Sequence, residues 1–127
     1  MSMHPLRLDH IGLKVTDLEA AKRFYAAALE PLGMSLLGES AEHAAFGVGH
    51  MPYLSIRLAA EVAGPTHVAF LAETRAQVDA FHAAAVAAGG RDGGEPGLRP
   101  QYHDNYYGAF VLDPDGHNIE LVKHTPG

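Results

Sequence analysis

The sequence predicts an α+β domain assembled from two βαβββ modules, and three observations carry that expectation. First, the chain repeats itself: offset by 57 residues, His10 falls on His67, Gly12 on Ala69, Leu13 on Phe70, Phe24 on Phe81 and Gly33 on Gly90. An internal period of this length marks a duplicated supersecondary unit. Second, the apolar period switches from two to about 3.6 twice, each time just after a helix-start signal. Third, each repeat follows its helix with further apolar runs broken by turn residues, the composition of short strands.

Leu8–Val15 is expected as the first strand, with Ile11, Leu13 and Val15 on one face and Leu8, His10, Gly12 and Lys14 on the other. Thr16-Asp17-Leu18-Glu19 has the form of a capping box. Leu18, Ala21, Tyr25, Ala28 and Leu32 then make a helical stripe, widened by Phe24 and Leu29, which Pro31 and Gly33 bring to a stop. Met34–Leu37, Ala44–Val48 and Tyr53–Leu58 read as three strands of a meander, and residues 59–65 as the connection between halves. The second unit runs the same way. Thr66–Leu71 is a strand, Thr74-Arg75-Ala76-Gln77 a capping box, and Val78, Phe81, Ala85 and Ala88 a helical stripe closed by Gly89-Gly90. A Gly- and Pro-rich stretch over 89–100, an aromatic loop over 102–107 and a hairpin around Asp113-Pro114-Asp115-Gly116 complete it. The modules span about residues 6–60 and 64–125 of a single domain, 1–127.

Composition removes several functions. The formal net charge of −6 argues against nucleic acid and anionic membrane surfaces as partners. There is no cysteine, hence no disulfide framework and no thiolate chemistry. No apolar run reaches the length of a membrane span, and the first residues lack a signal-peptide pattern, so a cytoplasmic protein is expected. Nine histidines against nine Lys plus Arg is a heavy load that invites a metal.

His10, His67 and Glu120 are polar residues set within apolar strands. Their neighbours pack under the helices, so each points to the opposite face. A carboxylate there is costly to bury without a positive partner. Two imidazoles and a carboxylate form a facial set suited to Fe(II), Mn(II), Zn(II), Ni(II) or Co(II), with positions left open to substrate. Gly12 and Ala69, two residues on, leave room for it.

The motifs Asp9-His10-Ile11-Gly12-Leu13-Lys14-Val15, Thr66-His67-Val68-Ala69-Phe70 and Asp113-Pro114-Asp115-Gly116-His117-Asn118-Ile119-Glu120-Leu121 resemble those of the vicinal-oxygen-chelate superfamily. That group includes glyoxalase I, bleomycin-resistance proteins, fosfomycin-resistance transferases, methylmalonyl-CoA epimerase and extradiol dioxygenases. The resemblance covers nearly the whole chain. It implies a cup-shaped mixed β-sheet, a homodimer, and metal ligation by His10, His67 and Glu120. It also implies a small oxygenated substrate chelated to one divalent metal, with lyase/isomerase or dioxygenase chemistry. The alternative within the group is a binding protein that sequesters an aromatic or drug-like ligand. Glyoxalase I and the epimerase use a fourth ligand, Glu or Gln, on the last strand of the first module. Tyr53-Leu54-Ser55-Ile56-Arg57 offers neither, which argues against a standard glutathione-hemithioacetal isomerase. The same gap moves any acid/base role to the aromatic loop, with Tyr102 and Tyr106 as the catalytic candidates and His103 and Tyr107 beside them. Arg57 and Arg99 are candidates for a substrate carboxylate or phosphate. His117, beside the turn, is expected to be exposed, and His4, His43, His50, His82 and His124 have no evident partner.

Overall fold

Two four-stranded mixed sheets, each with one helix, make up the computed structural model, which describes residues 8–127. In the first module β1 (Ile11–Val15) leads to α1 (Leu18–Ala28), a short 3₁₀ turn (Glu30–Leu32), and then β2 (Ser35–Glu39), β3 (His43–Val48) and β4 (Met51–Leu58). The second module repeats this with β5 (His67–Leu71), α2 (Arg75–Ala87), β6 (Arg91–Leu98), β7 (Tyr107–Leu112) and β8 (Asn118–Lys123). The strand orders β1-β4-β3-β2 and β5-β8-β7-β6 are the same topology twice. In each, the first strand pairs parallel with the last, and the remaining pairs are antiparallel. No helix among the described residues is long and apolar enough to cross a membrane.

The expected faces are the observed ones. Leu13, Val15, Ala44, Phe46, Leu54 and Ile56 of the first sheet, and Val68, Ala109, Val111, Ile119 and Leu121 of the second, pack under the helices. Burying each large aliphatic or aromatic side chain contributes about 1.5–3 kcal/mol. Gly33 and Gly90, equivalent in the repeat, serve different needs. Gly33 has a left-handed φ of +78° that ends the 3₁₀ turn. Gly90 yields space: a Cβ there would lie 2.5 Å from both Phe24 Cε1 and Val111 Cγ1.

Three local expectations are corrected. The first strand begins at Ile11, paired with Leu54, so His10 lies one residue outside it. Thr16 does not cap α1. Its N–H and hydroxyl both go to Asp115, and Asp17 caps instead, accepting from the Ala20 N–H at 3.0 Å. The Gly-rich stretch is not merely a connection: Arg91–Leu98 forms edge strand β6, with register breaks at Asp92/Gly94 and Gly94/Gly97. The second capping box forms as expected, Thr74 with Gln77.

The hairpin turn binds the modules together. Asp113, 2% exposed, accepts at Oδ1 from the N–H groups of Asp115 and His117, at 2.9 and 2.8 Å. Its other oxygen accepts from the buried Tyr25 hydroxyl of α1 at 2.5 Å. His117 is buried, not exposed as expected: Thr66 N–H donates to its Nδ1, so Nε2 carries the proton and donates to the Lys14 carbonyl of β1. Burial and the Asp113 carboxylate hold the Tyr25 phenol well above its ordinary value. His82 and His124 also have partners, Asp92 and His103, both at 2.9 Å, while His4 lies outside the described residues.

Tyr25→Phe is expected to cost about 1–3 kcal/mol, because it strips a donor from a buried charged acceptor. The midpoint of urea unfolding reads this directly. A phenol raised by folding stabilises fully below its unfolded pKa near 10, and that contribution declines as the pH rises past it. The variant should therefore show a shallower alkaline loss of stability than wild type. Equal midpoints and equal alkaline slopes would count against the buried bond.

Candidate metal centre

The sheet face away from the helices carries the site. Across the second sheet, Ala69 pairs with Glu120, Glu120 with Phe110, and Phe110 with Gly94. These four residues form one row on that face, and His67 stands two residues before Ala69 on it. His67 Nε2 lies 2.8 Å from Glu120 Oε1. The second carboxylate oxygen, Oε2, accepts from the Tyr106 hydroxyl. Glu120 is 2% exposed, while the His67 side chain is 54% exposed. The site is thus a sunken carboxylate with an accessible imidazole at its rim.

Local sequence explains the placement. Gly108, two residues after Tyr106, leaves room for the phenol ring: a Cβ there would lie 3.2 Å from Tyr106 Cε1 and 3.3 Å from the Leu121 carbonyl oxygen. The loop before β7 is closed by Arg99 N–H donating to the Tyr106 carbonyl at 2.7 Å, and it turns on Asn105 with φ +67°. Burial first, and then the bond to Glu120, raises the Tyr106 phenol above its ordinary value. Tyr106 is accordingly a neutral hydrogen-bond donor at physiological pH, not a base. The Tyr102 ring lies 4.8 Å from that of Tyr106 and the His103 ring 5.3 Å, with Tyr102 59% exposed. Tyr107 is turned away, donating to Asp79 of α2 at 2.6 Å.

His10 does not join this pair within the chain. Its Nδ1 lies 2.7 Å from Asp9 Oδ1, and it lines a largely apolar cleft of about 450 Å³ with Ile11, Met34, Tyr53 and Phe70, to which neither His67 nor Glu120 contributes. Among the described residues, no three His, Asp or Glu side chains gather as a metal-ligand set. The structure therefore brings together two members of the expected trio and leaves the third apart.

The register also identifies the first module's counterpart of Glu120. Gly12 pairs with Ser55 just as Ala69 pairs with Glu120. Gly12 and Ala69 are equivalent in the repeat, so Ser55, not Tyr53, occupies the position equivalent to Glu120. The duplicated unit thus has a carboxylate in one copy and a hydroxyl in the other.

A model of the glyoxalase/bleomycin resistance protein/dioxygenase superfamily matches residues 7–121. The chain belongs to that superfamily. An uncharacterized protein of Bacillus subtilis strain 168, YqjT, is 32% identical over 130 residues, covering 91% of this chain and 97% of that protein. A crystal structure of a glyoxalase/bleomycin resistance protein from Albidiferax ferrireducens T118 matches with a TM-score of 0.79 and 29% identity, over 93% of this chain and 98% of that one. The fosfomycin resistance protein FosX of Mesorhizobium loti shares the fold, with a TM-score of 0.71 at 21% identity over 96% and 95% of the two chains.

The hydrogen bond from Tyr106 to Glu120 can be isolated by a double-mutant cycle on stability. Tyr106→Phe and Glu120→Gln are expected to be non-additive by about 1–3 kcal/mol, the worth of a hydrogen bond to a buried charged group. Additive effects in urea unfolding would mean that the phenol does not hold the carboxylate.

Proposed function

We propose that this chain is a metal-dependent enzyme acting on a small oxygenated substrate, with one divalent ion held by His67 and Glu120 and by His10 of a second copy. The observation that carries the reading is the 2.8 Å approach of His67 Nε2 to the buried Glu120 Oε1. Two ligands about 2.1 Å from one ion and at right angles to each other stand ~3 Å apart. The donors are therefore spaced as neighbouring ligands, and a cation would offset the cost of the sunken carboxylate.

A homodimer supports the third ligand. His10 is exposed in the single chain, and exposed apolar side chains line the same cleft: Leu8 is 79% exposed, Leu71 69% and Val48 47%. Monomeric soluble proteins rarely leave such residues uncovered in number. A second copy would cover them and bring His10 to the pair.

A bound ion supplies a Lewis acid for neighbouring substrate oxygens, as lyase/isomerase and dioxygenase chemistry both require. The chain's own residues do the rest. Tyr106 fixes the orientation of Glu120 and keeps its proton at the phenol oxygen. Phe110, directly across from Glu120 and 6.1 Å from the His67 ring, offers an apolar wall. Tyr102, exposed beside the Tyr106 ring, is the loop group open to a substrate, whereas both ring nitrogens of His103 are taken by the Asp104 carbonyl and His124. A positioned carboxylate–imidazole pair favours chemistry over passive sequestration of an aromatic or drug-like ligand, which an apolar cleft alone would serve.

Protein purified without chelators or a histidine tag should contain about one divalent metal per chain, by elemental analysis, and Glu120→Ala should lose most of it. His10→Ala should lose it too. Mixing and refolding His10→Ala with Glu120→Ala should restore part of the metal, because one site in each mixed dimer regains every ligand. Full metal in Glu120→Ala, or no recovery on mixing, would sink the ligand set or its sharing between copies.

Ser55 standing where the repeat has Glu120 leads to a second expectation. A serine hydroxyl is neither a metal-tuning carboxylate nor a base near neutral pH. Protein reconstituted with Ni(II) or Zn(II) is expected to form little or no thioester from the glutathione hemithioacetal of methylglyoxal. Turnover at an ordinary enzymatic rate, on the order of 1–1000 per second, would show the fourth ligand to be dispensable.

A further inference from the structure

We propose that Arg99 is a preorganised anion seat beside the metal centre, selecting substrates that carry a phosphonate, phosphate or carboxylate group. Its guanidinium is fixed in place. Nη1 donates to the Gly97 carbonyl and Nη2 to the Glu95 carbonyl, each at 2.8 Å, and Cζ lies 5.5 Å from the centre of the Phe110 ring. The edge strand is cleared for it. A Cβ at Gly94 would lie 3.0 Å from Nη2 and 2.8 Å from Phe110 Cδ1, and one at Gly97 would lie 3.4 Å from Nη1. Glycine inside a strand weakens it and marks close approach by another group. Here the approaching groups are the Phe110 ring and the Arg99 guanidinium, and the register of β6 breaks at these same glycines.

The charge is not spent inside the chain. Among the described residues, no carboxylate lies within ion-pair distance of Arg99. Both of its bonds go to neutral carbonyls, which leaves three of the five guanidinium N–H donors free. A half-buried guanidinium held rigid with free donors loses little entropy on meeting an anion, and the resulting bonds are charge-assisted.

Its position sets what it can read. Gly94, Phe110 and Glu120 are successive members of one row across β6, β7 and β8. Arg99 rests on the first two of these and therefore stands one to two strand spacings, about 5–10 Å, from the Glu120 carboxylate. Its backbone also pairs with Tyr106, so the loop that presents the phenol to Glu120 presents the guanidinium beside it. A substrate with oxygens at the metal centre and an anionic group a few bonds away would span the two, with Phe110 beneath its apolar part. The inference rests on the proposed function for the first of these contacts and on Arg99 alone for the second.

The test titrates phenylphosphonate, benzoate and the neutral phenol into the full-length protein by calorimetry, with and without Mn(II). Wild type should prefer at least one of the anions to phenol by about tenfold or more, as a charge-assisted contact provides. The two anions distinguish a phosphonate seat from a carboxylate seat. Arg99→Gln, which keeps a donor for a strand carbonyl, should lose the preference while its phenol affinity and melting temperature hold. Arg99→Lys should keep part of it. Anions that bind no better than phenol to wild type, or equally to wild type and Arg99→Gln, would overturn the seat and leave Arg99 a strut for β6. Failure of wild type to bind Mn(II) would overturn the metal reading instead, because the anion preference is read in either state.

Discussion

The buried carboxylate of Asp113 is the constraint on which the arrangement of the two modules depends. A charge at 2% exposure is tolerated because every approach to it is a donor: two backbone N–H groups of its own turn and the Tyr25 hydroxyl from the other module. The turn then spends its remaining polar groups on the same joint. Asp115 holds Thr16, and His117 ties the start of β5 to the end of β1. Polar networks of this kind are directional where apolar packing is not, so they set the angle at which two similar halves meet. Because β8 starts at this turn, the same bonds set where Glu120 stands relative to β1.

Duplication gives the protein two equivalent open faces and asks them to differ. The scaffold positions are kept: small residues at Gly12 and Ala69, each paired with the middle of the last strand of its module. The chemistry is not kept. One copy has Glu120 under a phenol, and the other has Ser55 beside the exposed Lys14 and Arg57. The loops account for the difference, because only the second module carries the Tyr102–Tyr107 loop that covers its acid. An uncovered Glu120 would be solvated and adaptable. The covered one is rigid, which is what a metal ligand or a catalytic contact needs.

The element plan and the identity of the special residues were legible because they are local. Alternation in β1 and β8, the helical stripes of α1 and α2, and the Thr74 capping box depend on neighbours within a few residues. The errors share a cause too. Thr16 has every local qualification to cap α1, yet a carboxylate from Asp115, distant in sequence, takes its donors. His117 sits in a turn, where exposure is the default, yet the other module closes over it. Arg91–Leu98 has glycine and proline content unlike a strand, yet it pairs with β7 across the sheet, a partner separated from it in sequence by the loop that carries Tyr102 and Tyr106.

The sequence by itself determined the repeat, the faces of the strands, the superfamily motifs and the singular character of His10, His67 and Glu120. These follow from side-chain period and turn chemistry, which act along the chain. Only the tertiary structure decided which of the three meet. His67 and Glu120 belong to adjacent strands of one sheet, so backbone pairing alone brings them to 2.8 Å. His10 stands just before β1 of the other sheet, and no backbone ladder joins β1 to β5. Where it stands is set by how whole modules pack, a matter of buried area and the Asp113 joint, which no local pattern encodes.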